Sequence, residues 1–188
     1  MSGWQTRASR VAYENPWIRV REDDVIRPDG NAGIYGVVEV RHPAVFIVPV
    51  TEAGEVVLVR LFRYTIGRES LEIPAGGTDG EEPLLAAQRE LREETGLEAD
   101  SWRDLGEYWS LIGVAAAPGR VFLATGLRRA DGVAAEAAAE AAAREEGITE
   151  VLTVPWDDVM TMAGSGEISD SETLGALLRA ALVLGKVG

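Results

Sequence analysis

The stretch RELREETGL, residues 89–97, is the most informative part of the sequence, because it places three acidic side chains on one face of a helix. The residues before it have the apolar spacing of a helix, and Gly96 is the residue type that commonly ends one. Positions three and four apart share a helix face, so Glu90, Glu93 and Glu94 point the same way. Acidic side chains at the negative end of a helix cost about 0.3–1 kcal/mol each. A helix selected for stability alone would carry Lys or Arg here.

A divalent cation held against this face would remove the electrostatic cost. Carboxylate oxygens are hard ligands, and they select Mg²⁺ or Mn²⁺. Mg²⁺ commonly shares its coordination shell between a few carboxylates and the phosphates of a substrate, which fits phosphoryl chemistry. The spacing taken alone equally suits an exposed, charged helix end.

Composition excludes several other classes of protein. The 188 residues contain no Cys, which excludes thiolate metal sites and Cys nucleophiles. They contain one His, which excludes a His-rich metal site. The net charge of −13 is unfavourable for binding a nucleic-acid backbone. No apolar run reaches the roughly 18–20 residues of a membrane helix, and the first twenty residues show no signal-peptide core. We therefore expect a cytoplasmic protein with no nucleic-acid or membrane partner.

The order of predicted elements is typical of an α/β fold built on a mixed sheet. We predict an N-terminal β arm at 1–40 and a main domain at 41–188, with the Ala-rich stretch at about 130–144 inserted in it. Ser169 followed by Glu172 resembles a capping box that opens the last helix. Ala occupies nine of the fifteen positions 130–144, which we interpret as a surface insertion, helical or partly disordered. The predicted strands are 16–27, 34–40, 44–51, 55–63, 71–73, 120–124 and 148–154, and the predicted helices are 83–95, 155–162 and 172–184.

Residues 89–97 also resemble the second half of the Nudix box, G-x5-E-x7-R-E-U-x-E-E-x-G-U, where U is aliphatic, and Glu81 has the spacing of its first Glu. Other stretches are similar to the ADP-ribose and ADP-sugar pyrophosphatase branch of that family. These stretches are RHP (41–43), VRLFRY (59–64), LEIPAGG (71–77) and GEISD (166–170). The resemblance runs from about Trp17 to Leu178, apart from the Ala-rich insertion.

The resemblance implies an α/β/α sandwich around a mixed sheet, with a metal site on the box helix. Carried onto this chain, the metal ligands are Glu90, Glu94 and the carbonyl of Ala75. Glu93 is implied to be a further ligand or the base that deprotonates water. Arg89 is implied to hold the glutamates in place.

The implied reaction is attack of water on the diphosphate of a nucleoside diphosphate-linked sugar, ADP-ribose first, which releases AMP and a sugar phosphate. Arg63 and Glu72 match positions that contact the diphosphate and the adenosine or terminal-ribose side; a structural ion pair is the alternative. The branch also implies a homodimer in which the N-terminal strands pack on the partner. Trp4, Trp17 and Tyr35 are expected to pack in a core or interface, and stacking on adenine is the alternative.

Two departures from the pattern leave alternatives open. Either the loop before Glu81 is one residue short, or Glu82 takes the role of the first Glu and the shortening lies at the helix start. Ala117 stands where the branch carries an acidic residue. Either Glu93 is the base, or Glu145, Glu146 or a Glu of the Ala-rich segment takes that place, or activity is weak. The rival hypotheses are another nucleotide substrate and a module that binds ADP-ribose without cleaving it.

Overall fold

A computed structural model describes residues 3–130, 137 and 141–186. The predicted α/β class is confirmed, and no helix in these ranges is both long and apolar enough to cross a membrane. Most of the predicted Ala-rich insertion, 131–136 and 138–140, lies outside the described residues, together with Glu136 and Glu140. The strands are β1 (Gln5–Glu14), β2 (Ile18–Ile26), β3 (Ala32–Val40), β4 (Ala44–Val50), β5 (Glu55–Arg63), β6 (Arg68–Glu72), β7 (Ala75–Gly77), β8 (Leu97–Ser110), β9 (Ala115–Arg129) and β10 (Ile148–Pro155). The helices are α1 (Pro83–Thr95), α2 (Trp156–Ser165) and α3 (Ser171–Leu184), and residues 141–145 are also helical.

The chain divides into two compact units, and the first comprises residues 1–43 and 108–119. In this unit β2 pairs antiparallel with β1 and with β3, and β3 pairs in parallel with the start of β9. The Tyr35 hydroxyl donates to the carbonyl oxygen of Gly113 at 2.8 Å. The Trp4 ring meets the Tyr35 ring edge to face at 5.4 Å. All ten residues of β1 are exposed.

The second unit comprises residues 44–107 and 120–188 and carries the box helix. Here β5 pairs antiparallel with β4, β6 and β10, and β7 pairs antiparallel with β4. Strands β4 and β5 are almost continuous apolar runs, as expected for strands buried on both faces. Helix α1 packs its buried Ala86, Ala87 and Leu91 against Val45 and Ile47 of β4. This contact places the carboxylate face of α1 beside β7.

Three strands, β1, β7 and β8, are absent from the sequence predictions, and one helix cap differs from them. Strand β1 lacks the alternation of a half-buried strand because none of its residues is buried, and β8 is interrupted by charged side chains. The predicted capping box is wrong: α3 begins at Ser171, and its cap is Asp170. A carboxylate Oδ2 of Asp170 accepts the Thr173 amide at 2.7 Å. That bond satisfies one of the first amides of the helix, which have no partner within it.

Candidate metal and substrate site

Two of the predicted acidic side chains are buried on α1. Glu90 and Glu94 are each 4 % exposed and lie one helical turn apart, on the side of α1 that packs inward. The side chain of Glu93 is 36 % exposed. Adjacent buried carboxylates repel each other and lose their hydration, so this arrangement is costly unless a positive charge compensates it.

A third carboxylate joins the pair from a distant part of the chain. Glu146 follows the helical residues 141–145 and precedes β10. Oxygen atoms of Glu90, Glu94 and Glu146 all lie within 4.8 Å of one another. The fold therefore brings together Glu94 and Glu146, which are 52 positions apart in the sequence. Of the alternatives left open by Ala117, Glu146 is placed in this carboxylate cluster.

The protonation equilibria show how unfavourable the cluster is without a counter-ion. Burial is the main cause that raises the pKa of Glu90 to about 7, against the opposing charge of Arg89. Burial, followed by the Glu146 carboxylate, raises the pKa of Glu94 well above its ordinary value. A cation beside these groups favours their ionised forms and opposes both effects.

The residues present fit a divalent cation on two further observations. Glu90 Oε2 is buried and has no hydrogen-bond partner among the described residues, so a ligand position is left open. A Cβ at Gly76 would lie 2.2 Å from the Glu90 carboxylate, so only glycine allows the backbone to approach it this closely. All the candidate metal-ligand atoms are oxygens, which suits Mg²⁺ or Mn²⁺.

Arg89 holds the acidic side chains in place, as its position in the box implies. Its guanidinium donates to Glu90 at 2.8 Å, to Glu93 at 3.0 Å and to Glu81 at 2.9 Å. It also donates to the carbonyl oxygen of Gly77 at 2.9 Å. One planar group with several fixed donors thus orients three carboxylates against β7.

Arg63 and Glu72 form a two-pronged ion pair at one wall of a cavity. Arg63 Nε donates to Oε1 of Glu72 at 2.9 Å, and Nη2 donates to Oε2 at 2.5 Å. Glu72 is 5 % exposed, and its hydrogen bonds raise the pKa of Arg63. The cavity has a volume of about 520 Å³ and is also lined by Ala75. The Ala75 amide donates to Glu94 Oε2 at 3.0 Å, so the cavity ends beside the carboxylate cluster.

Sequence reasoning missed several residues that line this cavity. Phe46, Arg68, Ser169, Asp170 and Thr173 are among them. The signal was present in the GEISD stretch at 166–170, which supplies Ser169 and Asp170. The aromatic residues Trp4, Trp17 and Tyr35 belong to the other unit, where Trp17 is 71 % exposed.

The comparisons with known proteins agree with this geometry. Residues 40–174 match the family model of the NUDIX domain, and residues 4–38 match the nucleoside diphosphate sugar hydrolase N-terminal domain. An ADP-ribose pyrophosphatase of Bacillus subtilis is 33 % identical over 175 residues, which cover 92 % of this chain and 90 % of that protein. An ADP-ribose pyrophosphatase of Mycobacterium tuberculosis is 39 % identical over 127 residues, or 66 % of this chain and 61 % of that protein.

A solved structure supports the same assignment at the level of the fold. The crystal structure of an ADP compounds hydrolase superposes on this chain with a TM-score of 0.80 and 18 % sequence identity. The superposition covers 98 % of this chain and 96 % of the hydrolase chain. The NUDIX match spans most of the sequence and includes β4, β7 and the whole of α1. The chain therefore belongs to the Nudix family.

Proposed function

We propose that this protein is a metal-dependent pyrophosphatase that hydrolyses the diphosphate bond of a nucleoside diphosphate-linked sugar, with ADP-ribose as the first candidate. The products are AMP and a sugar phosphate. The observation that carries the proposal is the cluster of Glu90, Glu94 and Glu146, which is linked through the Ala75 amide to the cavity lined by Arg63 and Glu72. The names of the two curated relatives support ADP-ribose as the substrate.

Glu90, Glu94 and the Ala75 carbonyl are the proposed metal ligands, and Glu146 is close enough to join them. When bound, Mg²⁺ or Mn²⁺ supplies positive charge that stabilises the negative charge developing on the diphosphate. Arg89 keeps Glu90 and Glu93 oriented, and it thereby lowers the reorganisation needed during the reaction.

The proton of the attacking water requires a carboxylate base, and two residues compete for this role. Glu93 is the candidate from the box, and its carboxylate already accepts a hydrogen bond from Arg89 at 3.0 Å. Glu146 is the candidate from the fold, because its carboxylate lies in the cluster with Glu90 and Glu94. We favour Glu146, and Glu146→Gln is then expected to lower kcat more than Glu93→Gln.

Arg63 and Glu72 are the proposed substrate-binding pair. The guanidinium of Arg63 matches the charge of the diphosphate, and Glu72 can accept hydrogen bonds from hydroxyl or amino groups on the nucleoside or sugar side. Another nucleotide-linked sugar or a dinucleoside polyphosphate remains the alternative substrate, because the box handles the diphosphate and not the groups on either side of it.

The decisive experiment incubates the protein with Mg²⁺ and a panel of nucleotide-linked sugars and follows nucleoside monophosphate release. We expect AMP from ADP-ribose, and we expect Glu94→Gln to reduce turnover at least about a hundredfold. Glu150→Gln is the matched control, since Glu150 is half exposed and pairs with Arg60. Near-normal turnover by Glu94→Gln would contradict the proposal.

Ala117 favours a second candidate, a module that binds ADP-ribose without cleaving it. Tight binding by calorimetry together with no AMP in either Mg²⁺ or Mn²⁺ would support this alternative. A homodimer formed through the β arm and a cytoplasmic location also stay predictions. The dimer draws support from Val11, Tyr13 and Ile34, apolar side chains of the arm that are more than half exposed.

A further inference from the structure

The backbone of β7 contacts three of the groups that the proposed function uses, Glu90, Glu94 and Arg89. The Ala75 amide donates to Glu94 at 3.0 Å, and the Gly77 carbonyl accepts from Arg89 at 2.9 Å. Between them, Gly76 lies so close to the Glu90 carboxylate that no Cβ fits. The position of this short strand therefore sets where Glu90 and Glu94 can place their oxygens.

The segment leading into β7 is fixed by two hydrogen bonds. The Pro74 carbonyl accepts from the amide of Ile47 in β4 at 2.9 Å. The Ile73 amide donates to the hydroxyl oxygen of Thr173 at 3.2 Å, across 100 positions of sequence. Ile73 and Thr173 are 2 % and 1 % exposed. A buried amide that loses its acceptor carries its desolvation cost, so loss of this bond is expected to destabilise the segment before β7.

Thr173 is itself held by the cap of α3. Its amide donates to Asp170 at 2.7 Å, which fixes the first turn of the helix and with it the hydroxyl that reaches Ile73. Ser169 accepts from Arg68 at 3.3 Å, so the residues before the cap are also tied to β6. The end of the GEISD stretch thus connects, through two consecutive hydrogen bonds, to Ile73 in the segment that leads into β7.

We infer that Thr173 is a positioning residue for the cation site, with Asp170 holding Thr173 in register. The inference rests on the proposed function, because it gives Glu90 and Glu94 the role of metal ligands. Thr173 also lines the cavity, and the role inferred here is exerted through its hydrogen bond to Ile73 rather than through contact with the cation. Its hydrogen bond to Ile73 fixes the position of Ile73 and Pro74 in the chain's path into β7. That position determines where Ala75 lies, and the Ala75 amide orients the Glu94 carboxylate.

The test measures Mn²⁺ binding directly, from the loss of the electron paramagnetic resonance signal of free Mn²⁺. Thr173→Val keeps the size of the side chain and removes the acceptor, and we expect about tenfold weaker binding. Thr173→Ser keeps the hydroxyl and should restore affinity to within about twofold of the original chain. Ala180→Gly is the matched control, since it weakens the same helix by about 1 kcal/mol without touching Ile73.

Amide hydrogen exchange over residues 71–77 supplies a second readout that needs no metal. We expect faster exchange in Thr173→Val than in Ala180→Gly. Unchanged Mn²⁺ affinity in Thr173→Val, or equal loss in Ala180→Gly, would overturn the inference. If Thr173→Val does not fold, Asp170→Ala decides in its place: weaker Mn²⁺ binding supports the inference, and unchanged binding overturns it.

The two proposals fail in different ways. If the original chain binds Mn²⁺ but cleaves no nucleotide-linked sugar, the proposed hydrolysis fails, and the comparison of variants still decides the role of Thr173. If the original chain does not bind Mn²⁺ at all, both proposals are overturned.

Discussion

A side chain at position 76 would require the Glu90 carboxylate to move, because an added Cβ would occupy its space. The nearest atoms to an added Cβ would be those of that carboxylate, at 2.2–2.5 Å. We expect Gly76→Ala to displace Glu90 and to weaken Mn²⁺ binding at least about tenfold. Gly164→Ala is the control, because nothing lies within 4 Å of its added Cβ and it lies in a helix. Equal Mn²⁺ affinity in the two variants would show that Glu90 is not a ligand.

Arg63 is the residue for which the shape of the side chain matters as well as its charge. Its planar guanidinium bonds both oxygens of Glu72, which a lysine ammonium cannot reproduce. We expect Arg63→Lys to raise the KM for ADP-ribose about tenfold, as the loss of one charged hydrogen bond implies, with a smaller change in kcat. Arg60→Lys, on the same strand but bonded to Glu150, should change KM less than about twofold. A normal KM in Arg63→Lys would restrict Arg63 to a structural ion pair.

Helix α1 carries buried carboxylates whose repulsion and lost hydration are unfavourable, and a bound cation is expected to offset this cost. Two buried carboxylates on adjacent turns face a third, and both have raised pKa values. Binding to the folded state alone at 100 times Kd stabilises by about 2.7 kcal/mol. For a chain of this length, that corresponds to a rise of about 5–10 °C in Tm. Thermal unfolding with and without Mn²⁺ measures this rise.

The matched variant for this thermal measurement is the double substitution Glu90→Gln, Glu94→Gln. It removes the charge that attracts the cation and also the repulsion between the two carboxylates. We expect its Tm to be insensitive to Mn²⁺, and we expect the metal-free Tm not to fall below that of the original chain by more than a few degrees. A rise with Mn²⁺ as large as in the original chain would place the cation elsewhere.

At the scale of the whole molecule, the exposed β arm predicts self-association. Light scattering is expected to give twice the mass of one chain. Charged substitution of Val11 and Ile34, each more than half exposed, should shift the protein to monomers, because a charge cannot be buried in an apolar interface without a partner. Leu182→Glu, an equally exposed apolar position on α3, is the control and should leave the mass unchanged. A monomeric original chain would contradict the prediction.

Local patterns in the sequence determined the elements that have a strong period or a clear end. Helix α1 has the predicted bounds, with Gly96 in the left-handed conformation as its stop, and β4 and β5 fall within a residue of prediction. Spacing on that one helix also determined the pair Glu90 and Glu94, because residues one turn apart share a face. Strand β1 escaped prediction because a strand exposed at every position carries no alternation.

Only the tertiary structure decided which distant residues complete the site. Glu146 reaches the cluster, and Thr173 reaches Ile73, because β10 and α3 pack onto the same sheet as β7, and no local spacing encodes such distances. Burial likewise depends on the tertiary fold. The local sequence does not distinguish the three glutamates, whereas packing buries Glu90 and Glu94 and leaves Glu93 partly exposed to solvent. Desolvation depends on every neighbour at once, so the chemistry of these identical side chains diverges only in the folded chain.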